Sequence, residues 1–226
     1  MPDLAETVGY LARGVQAKHK ILVWGDFDVD GQTSTALLVD GLRSFGADVE
    51  FYIPHRLRES HGIQLESLKS QLIEHNPQII LTCDTGVTAH DAIDYLREQG
   101  VTVLITDHHD LPPTLPNAHT IVNPKRLPSD HPLASLPGVG VAYKLIQALY
   151  ATADMDATPY LDLVALGIVA DVAVQAHDTR YLLQSGLERL RYTDRTGLRA
   201  LYAVAQIDPL KLTATDIGFQ IGPRLN

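Results

Sequence analysis

The sequence predicts an α/β protein with a mainly parallel β-sheet flanked by helices, followed by a helical segment. Short apolar runs alternate regularly with helical patterns between residues 4 and 106. This alternation is typical of βαβ units and therefore of parallel strands. Three of the apolar runs stop at acidic or imidazole side chains, and the chain from about residue 177 to 219 has only helical patterns.

The strand candidates are short apolar runs that end at glycine, proline or polar residues. The uninterrupted apolar run at residues 21–24 suits a strand that is covered on both faces of a sheet. The candidates lie at residues 21–24, 49–53, 79–83 and 101–106, and a brief fifth lies at 120–122.

The helix candidates show apolar residues at a spacing of three or four, and several end at glycine. Residues 160–170 are nearly all apolar, which predicts a buried helix that ends at Asp171. Gly138 and Gly140 open another helix, either because their amides approach a phosphate or because the helix packs closely. The helical patterns cover residues 4–17, 33–45, 65–75, 90–98, 138–150 and 160–170.

Composition narrows the functional classes. The chain has 226 residues, 45% of them apolar, and no run long enough to cross a bilayer or to act as a signal peptide. Its single cysteine, Cys83, excludes an internal disulfide and favours a cytoplasmic location. A net charge of −9 argues against a simple DNA-binding module, but not against a nuclease whose carboxylates bind metal ions.

The central stretch of the sequence is 21–31, ILVWGDFDVDG. Asp26, Asp28 and Asp30 follow the first apolar run, and the carboxyl ends of parallel strands are where α/β proteins bind ligands. Close carboxylates repel one another, so a divalent cation is a natural partner. The alternative is a polar turn in which an aspartate caps the next helix.

Two further strands end in a similar way. Asp84 follows the third strand, and Asp107, His108 and His109 follow the fourth. Because parallel strands bring these ends to one edge of the sheet, we expect the side chains to lie close together. With Asp171, they form an oxygen-rich set that suits Mn²⁺ or Mg²⁺ better than structural zinc, and it is large enough for two ions.

At this point the chain resembles the DHH phosphoesterases, and within them the bacterial RecJ-type single-strand-specific exonucleases. The resemblance extends from about residue 20 to residue 226. The shared motifs are GDFDVDGQTSTALL, CDTG, TDHHDLPPTLPNAHTIVNP, LPGVGVAYKL, LDLVALGIVADV and IGPRLN.

The resemblance implies a role for each site residue. The implied metal ligands are Asp26, Asp28, Asp30, Asp84, His108 and Asp171. Asp107, His108 and His109 form the implied catalytic motif, in which Asp107 and His109 orient ligands or touch the scissile phosphate. Trp24 stands where some family members have a ligand histidine, and Thr85 departs from the commoner Asp-Asn-Gly. Arg56, Arg58 and Arg224 are candidate substrate contacts, although ordinary solvated arginines explain them equally well.

The resemblance also implies an activity and a domain organisation. It implies metal-dependent 5′→3′ hydrolysis of single-stranded DNA to mononucleotides in repair and recombination, with single-strand-binding protein and a helicase as partners of the full-length protein. Residues 1–226 would form the catalytic domain, with an α/β core at about 20–175 and a helical extension at about 176–226 toward a further domain. The alternatives are a nanoRNase or phosphatase acting on short oligonucleotides or 3′-phosphoadenosine phosphate, and a non-catalytic replication scaffold.

Overall fold

A computed structural model describes all residues from Met1 to Asn226. Its centre is a five-stranded, wholly parallel sheet with the strand order β2-β1-β3-β4-β5. The strands are β1 Lys20–Trp24, β2 Asp48–Tyr52, β3 Ile79–Cys83, β4 Thr102–Thr106 and β5 Thr120–Val122. The predicted parallel sheet is therefore confirmed, and strand boundaries differ from the prediction by one residue at most.

Helices cover both faces of the sheet and continue beyond it. The main helices are α1 Leu4–Gln16, α2 Val29–Ser44, α3 Leu65–His75, α4 His90–Glu98, α5 Gly138–Ala151, α6 Leu161–Ala170, α7 His177–Arg191 and α8 Thr196–Ala205. Short helical turns follow, of which the last, Ile217–Ile221 and Gly222–Leu225, reach the end of the chain. None of the helices combines the length and the hydropathy that a bilayer crossing requires.

The sheet divides the core into two apolar clusters, as the period of two along a strand requires. In β1, Ile21 and Val23 lie in the larger cluster, which includes residues of α1, α2, α5 and α6. Leu22 and Trp24 point to the other face, where they join residues of α3 and α4. Burial on both faces explains why β1, β3 and β4 read as nearly continuous apolar runs.

Helix α2 begins at Val29, four residues earlier than the predicted start at residue 33. Asp28 is its N-cap residue, and the Asp28 carboxylate accepts a hydrogen bond from the Gly31 amide at 2.9 Å. The prediction was wrong because the polar residues at 28–32 read as a turn, whereas a capped first turn tolerates them. Asp30 therefore lies inside the first turn of α2 instead of in a loop.

The helical extension is fixed to the core by a buried acidic side chain. Asp162 on α6 is 2% exposed and accepts hydrogen bonds from Thr193 Oγ1 at 2.8 Å and Arg195 Nε at 2.9 Å. A buried carboxylate needs such partners. This contact joins α6, which packs on α2 and α5, to the segment that leads into α8.

Candidate metal centre

The carboxyl ends of three adjacent strands supply the acidic side chains predicted from the sequence. Asp26 and Asp28 follow β1, Asp84 follows β3, and Asp107 follows β4. Because β1, β3 and β4 are neighbours in the sheet, these residues meet at one edge. One oxygen from each of Asp26, Asp28 and Asp84 lies within 4.8 Å of the others.

Asp30 is held by the start of a second helix. Its two carboxylate oxygens accept hydrogen bonds from the backbone amides of Gly138 at 2.7 Å and Val139 at 2.9 Å, in the first turn of α5. Burial, and then repulsion from Asp84, raise the pKa of this carboxyl well above its usual range. The backbone amides at this helix start therefore bind a carboxylate of the same protein and not a phosphate. Of the two explanations for the glycine at position 138, the structure supports close packing.

Asp84 has both backbone strain and an unpaired oxygen. Its φ of 59° is in the left-handed region, which is uncommon for residues other than glycine. It is 2% exposed, and burial followed by repulsion from Asp28 raises its pKa well above the usual range. Oδ1 lies 3.0 Å from Nε2 of His108, but the two groups are not aligned for a hydrogen bond, and the oxygen has no other partner.

His108 and Asp171 complete the oxygen-rich cluster. His108 Nε2 lies 3.0 Å from Asp84 and 3.7 Å from Asp30, so the imidazole stands between the two carboxylates. Asp171 is the residue at which α6 ends, and it forms a second group of close donor atoms with Asp30 and His108. Burial is the largest contribution that raises the pKa of Asp171.

Asp107 and His109 form a tightly bonded pair beside these candidate ligands. Asp107 is 1% exposed and accepts four hydrogen bonds, from the amides of Val87, His108 and His109 and from Nδ1 of His109. Burial alone would raise the pKa of Asp107, but these hydrogen bonds hold it below the usual value. The Asp107 contact raises the pKa of His109 to about 9.

A residue that the sequence reasoning missed is His61. Its Nδ1 lies 2.6 Å from Oδ2 of the buried Asp26, and its ring packs on Phe27 with the centroids 4.2 Å apart. The sequence placed His61 in a loop, which is an ordinary position for a solvated histidine. The only signal was the count of two histidines and two arginines between residues 55 and 61.

The loop that carries His61 is anchored rather than free. Glu59 accepts hydrogen bonds from the hydroxyl groups of Tyr52 and Ser67 and from the His55 amide. Arg56 lies over the Phe27 ring, with Cζ 5.3 Å from the centroid, and donates a hydrogen bond to Asn226 Oδ1 at 2.8 Å. These contacts place Arg56 beside the strand end that carries Asp26.

The three predicted substrate contacts differ in their surroundings. Gln32 hydrogen-bonds the carbonyl oxygens of Phe27 and Leu225, which brings the end of the chain close to the β1 loop and Arg56. Arg224 is exposed and donates to the carbonyl of Gln220. Arg58 is exposed, and only its backbone amide forms a hydrogen bond.

The arrangement of donors fits hard divalent cations. Three overlapping groups contain carboxylates, none to two imidazoles and no thiolate: Asp26 with Asp28 and Asp84; Asp84 with His108 and His109; and Asp30 with His108 and Asp171. Oxygen-rich donor sets of this kind suit Mn²⁺ and Mg²⁺. The unpaired Asp84 oxygen and the mutual repulsion of buried carboxylates are features that a cation would relieve.

Trp24 occupies the position at which some members of the resembled family have a ligand histidine. It is fully buried in the smaller core cluster and packs on Tyr52 with ring centroids 4.6 Å apart. An indole in this place contributes packing and no metal donor.

The parallel sheet has an acidic centre at its carboxyl edge, and comparison with known proteins identifies the family of this domain. Residues 20–168 match the DHH family, N-terminal domain. The chain therefore belongs to the DHH family.

Curated relatives are named as single-stranded-DNA-specific exonucleases. The chain is 41% identical to RecJ of Haemophilus influenzae, covering 99% of this chain and 41% of the relative. It is 37% identical to RecJ of Bacillus subtilis, covering 100% of this chain and 28% of the relative. The chain thus spans between about a quarter and two fifths of the length of these relatives.

Solved structures agree with this similarity. Exonuclease RecJ bound to manganese superposes with a TM-score of 0.89 at 36% identity, covering 98% of this chain and 56% of the other. RecJ of Thermus thermophilus in complex with Mn²⁺ gives a TM-score of 0.85 at 34% identity, covering 98% of this chain and 32% of the other.

Proposed function

We propose that this chain is the catalytic domain of a metal-dependent phosphodiesterase that removes mononucleotides from the 5′ end of single-stranded DNA. The observation that carries the proposal is the buried carboxylate cluster around the unpaired Asp84 oxygen. The names of the relatives, and the manganese in a similar structure, support the substrate and the ion.

The metal ligands in this proposal are Asp26, Asp28, Asp30, Asp84, His108 and Asp171, which would hold two Mn²⁺ or Mg²⁺ ions. When bound, such ions activate a water and stabilise the leaving oxygen of a phosphodiester. The amides at the start of α5 hold Asp30, and the cap contact to Gly31 holds Asp28. Both carboxylates are therefore fixed before a ligand arrives, which lowers the cost of organising the site.

In this proposal, Asp107 and His109 are not metal ligands themselves but orient the neighbouring ligands. The hydrogen bonds of Asp107 fix the backbone that carries His108, and thus the direction of the His108 side chain. The contact with Asp107 raises the pKa of His109 to about 9, and the imidazole is half-exposed beside the centre. In this position its ring N–H can donate a hydrogen bond to the scissile phosphate.

The positively charged groups around the β2 end provide a site for the 5′-terminal phosphate. Arg56 is exposed and stands beside the loop that carries Asp26. Arg58 is exposed and lies two residues further along the chain. Arg224 is exposed and lies two residues before Asn226, which accepts a hydrogen bond from Arg56. Guanidinium groups bind phosphate with paired hydrogen bonds. Replacing Arg56 by alanine should lower the preference for 5′-phosphorylated over 5′-hydroxyl substrate, with Arg199→Ala as a charge-matched control on α8.

The domain boundaries, partners and location form part of the same proposal. We place the α/β metal-binding core at about residues 20–175 and the helical extension at about 176–226. In the full-length protein, single-strand-binding protein and a helicase are the proposed partners, in cytoplasmic DNA repair and recombination. The Asp162 contacts support treating the extension as part of one domain with the core.

The proposal is tested by hydrolysis of 5′-labelled single-stranded DNA beside a dinucleotide, with Mn²⁺ and with EDTA. Metal-dependent release of mononucleotides from the 5′ end of the long strand, lost in His108→Ala, supports it. Cleavage of the dinucleotide alone favours the small-substrate phosphodiesterase. Absence of metal-dependent hydrolysis, both by the chain and by the full-length protein, would favour the non-catalytic scaffold.

A further inference from the structure

A cleft of about 610 Å³ opens beside His108 and Asp171, at the opposite side of the metal centre from Arg56. Its other walls come from the segments after β5 and after α6, including Lys125, Val172 and Val174. This volume is in the usual range of ligand-binding pockets. Since two lining residues are candidate metal ligands, the cleft begins at the metal centre and extends away from it.

The strand order places this cleft relative to the proposed 5′-phosphate site. Arg56 follows β2 at one edge of the sheet, Lys125 follows β5 at the other edge, and the acidic centre lies on β1, β3 and β4 between them. Four strand spacings of about 4.8 Å separate β2 from β5, which is roughly 19 Å. Cationic groups therefore flank the acidic centre on both sides along one line.

Lys125 is positioned by a buried asparagine. Asn123 is fully buried, and its side-chain oxygen accepts a hydrogen bond from the Lys125 amide at 2.8 Å. The same side chain donates to the His109 carbonyl at 3.0 Å, which ties the turn that carries Lys125 to the loop that carries His108. The ammonium lies 3.5 Å from the exposed Asp110, and such exposed pairs are weak, so Lys125 can bind a phosphate instead.

The opposite wall of the cleft is apolar and strained. Val172 and Val174 are 85% and 69% exposed. Val172, with a φ of 55°, and His177, with a φ of 43°, both lie in the left-handed region. This region is highly unfavourable for a β-branched residue such as Val172. Such strain concentrates at functional sites. The apolar wall can pack against a nucleoside, and the Lys125 ammonium on the other side of the cleft can bind its phosphate.

We propose that this cleft binds the nucleotide immediately 3′ of the scissile phosphodiester, with Lys125 on the 3′ phosphate of that nucleotide. The inference rests on the proposed exonuclease function and deepens it. With the 5′-terminal phosphate at Arg56, the strand crosses the carboxyl edge of the sheet from β2 to β5. This path fixes the polarity of the substrate, because the terminal nucleotide lies on the β2 side and the rest of the strand leaves past β5.

Two short substrates isolate the Lys125 contact. A 5′-phosphorylated dithymidylate fills the cleft but lacks the phosphate that Lys125 would bind, whereas the trithymidylate has it. We expect kcat/KM with Mn²⁺ to be higher for the trinucleotide, and Lys125→Ala to lower the trinucleotide-to-dinucleotide ratio about tenfold, as loss of a charge-assisted contact predicts. Lys69→Ala on α3, at the amino edge of the sheet, is the charge-matched control.

An unchanged ratio in Lys125→Ala, with both substrates still cleaved, would overturn the inference and leave the proposed function intact. Absence of hydrolysis of every substrate, both by this chain and by the full-length protein, would overturn both. A readout without turnover uses a strand with a methylene group in place of the scissile 3′ oxygen and 4-thiothymidine at the second position. Photo-cross-links to residues 172–177 are expected, and cross-links confined to residues 55–62 would contradict the proposed polarity.

Discussion

Gly138 donates its amide to the Asp30 carboxylate at 2.7 Å and also packs directly on Asp84, so that an added Cβ would come within 2.5 Å of Asp84 Oδ1. One glycine therefore contacts two candidate metal ligands, Asp30 in the first turn of α2 and Asp84 after β3.

Gly138→Ala should destabilise the protein and abolish most metal binding. The added methyl group must displace Asp84 or move α5 away from Asp30, and overpacking of this kind costs about 1–3 kcal/mol. The measurement is the free energy of unfolding together with Mn²⁺ affinity by calorimetry. Gly197→Ala is the matched control, because a Cβ there meets nothing within 4 Å. Wild-type Mn²⁺ affinity in Gly138→Ala would contradict this assignment.

The acidic centre should make the metal-free protein less stable as pH rises. Burial raises the pKa values of Asp30, Asp84 and Asp171 in the folded state. Groups with raised folded pKa values contribute stability at low pH that is lost as pH rises through those values. Between pH 5 and pH 8, the melting temperature without metal should fall, and the stabilisation by Mn²⁺ should grow.

The matched variant for this experiment is Asp84→Asn, which removes one charge from the cluster. Its metal-free melting temperature should depend less on pH than that of the wild type in the same window. His109, with a pKa of about 9, changes stability in the same direction above pH 6.5, and it is common to both proteins. A steeper pH dependence in Asp84→Asn would show that the carboxylates are not mutually repulsive.

Asp107→Asn should weaken activity about 10- to 100-fold, as is usual for partners that orient metal ligands. The asparagine cannot hold His109 as a cation, so the pKa of His109 should fall from about 9 toward 6.5. The pKa is measured by NMR titration of the metal-free protein. Asp94→Asn on α4 is the control, since Asp94 is an exposed aspartate outside the acidic centre. An unshifted His109 pKa would refute the pairing.

His61→Phe should keep the ring packing on Phe27 but lose the contact with Asp26. We expect Mn²⁺ affinity to fall about tenfold, in the range seen for groups that orient ligands, with little change in melting temperature. His19→Phe, at the amino edge of the sheet, serves as the control for an exposed histidine. Equal Mn²⁺ affinity in the two variants would mean that the His61–Asp26 contact has no role in the site.

The sequence predicted the sheet and the acidic edge because both depend on local patterns. β1, β3 and β4 are short, nearly continuous apolar runs, and Asp84 and Asp107 directly follow β3 and β4. Parallel pairing then brings their ends together whatever the details of packing. For the same reason, the bounds of α3, α4 and β3 were predicted without error.

The sequence could not predict contacts that connect distant segments. The start of α2 at Val29 depends on a cap by Asp28, and the environment of Asp30 depends on amides 108 and 109 residues later in the chain. His61 reaches Asp26 only because Glu59 anchors its loop. No periodicity or motif of single residues encodes these distances, which are products of tertiary packing.

The proposed metal centre is tested most directly by locating manganese in crystals of this chain grown with Mn²⁺, by anomalous scattering at the manganese edge. Strong peaks are expected at the carboxyl edge of the sheet, among Asp28, Asp84, His108 and Asp171, and they should be lost in Asp84→Asn. Full occupancy of manganese elsewhere, with no peak among these side chains, would contradict it.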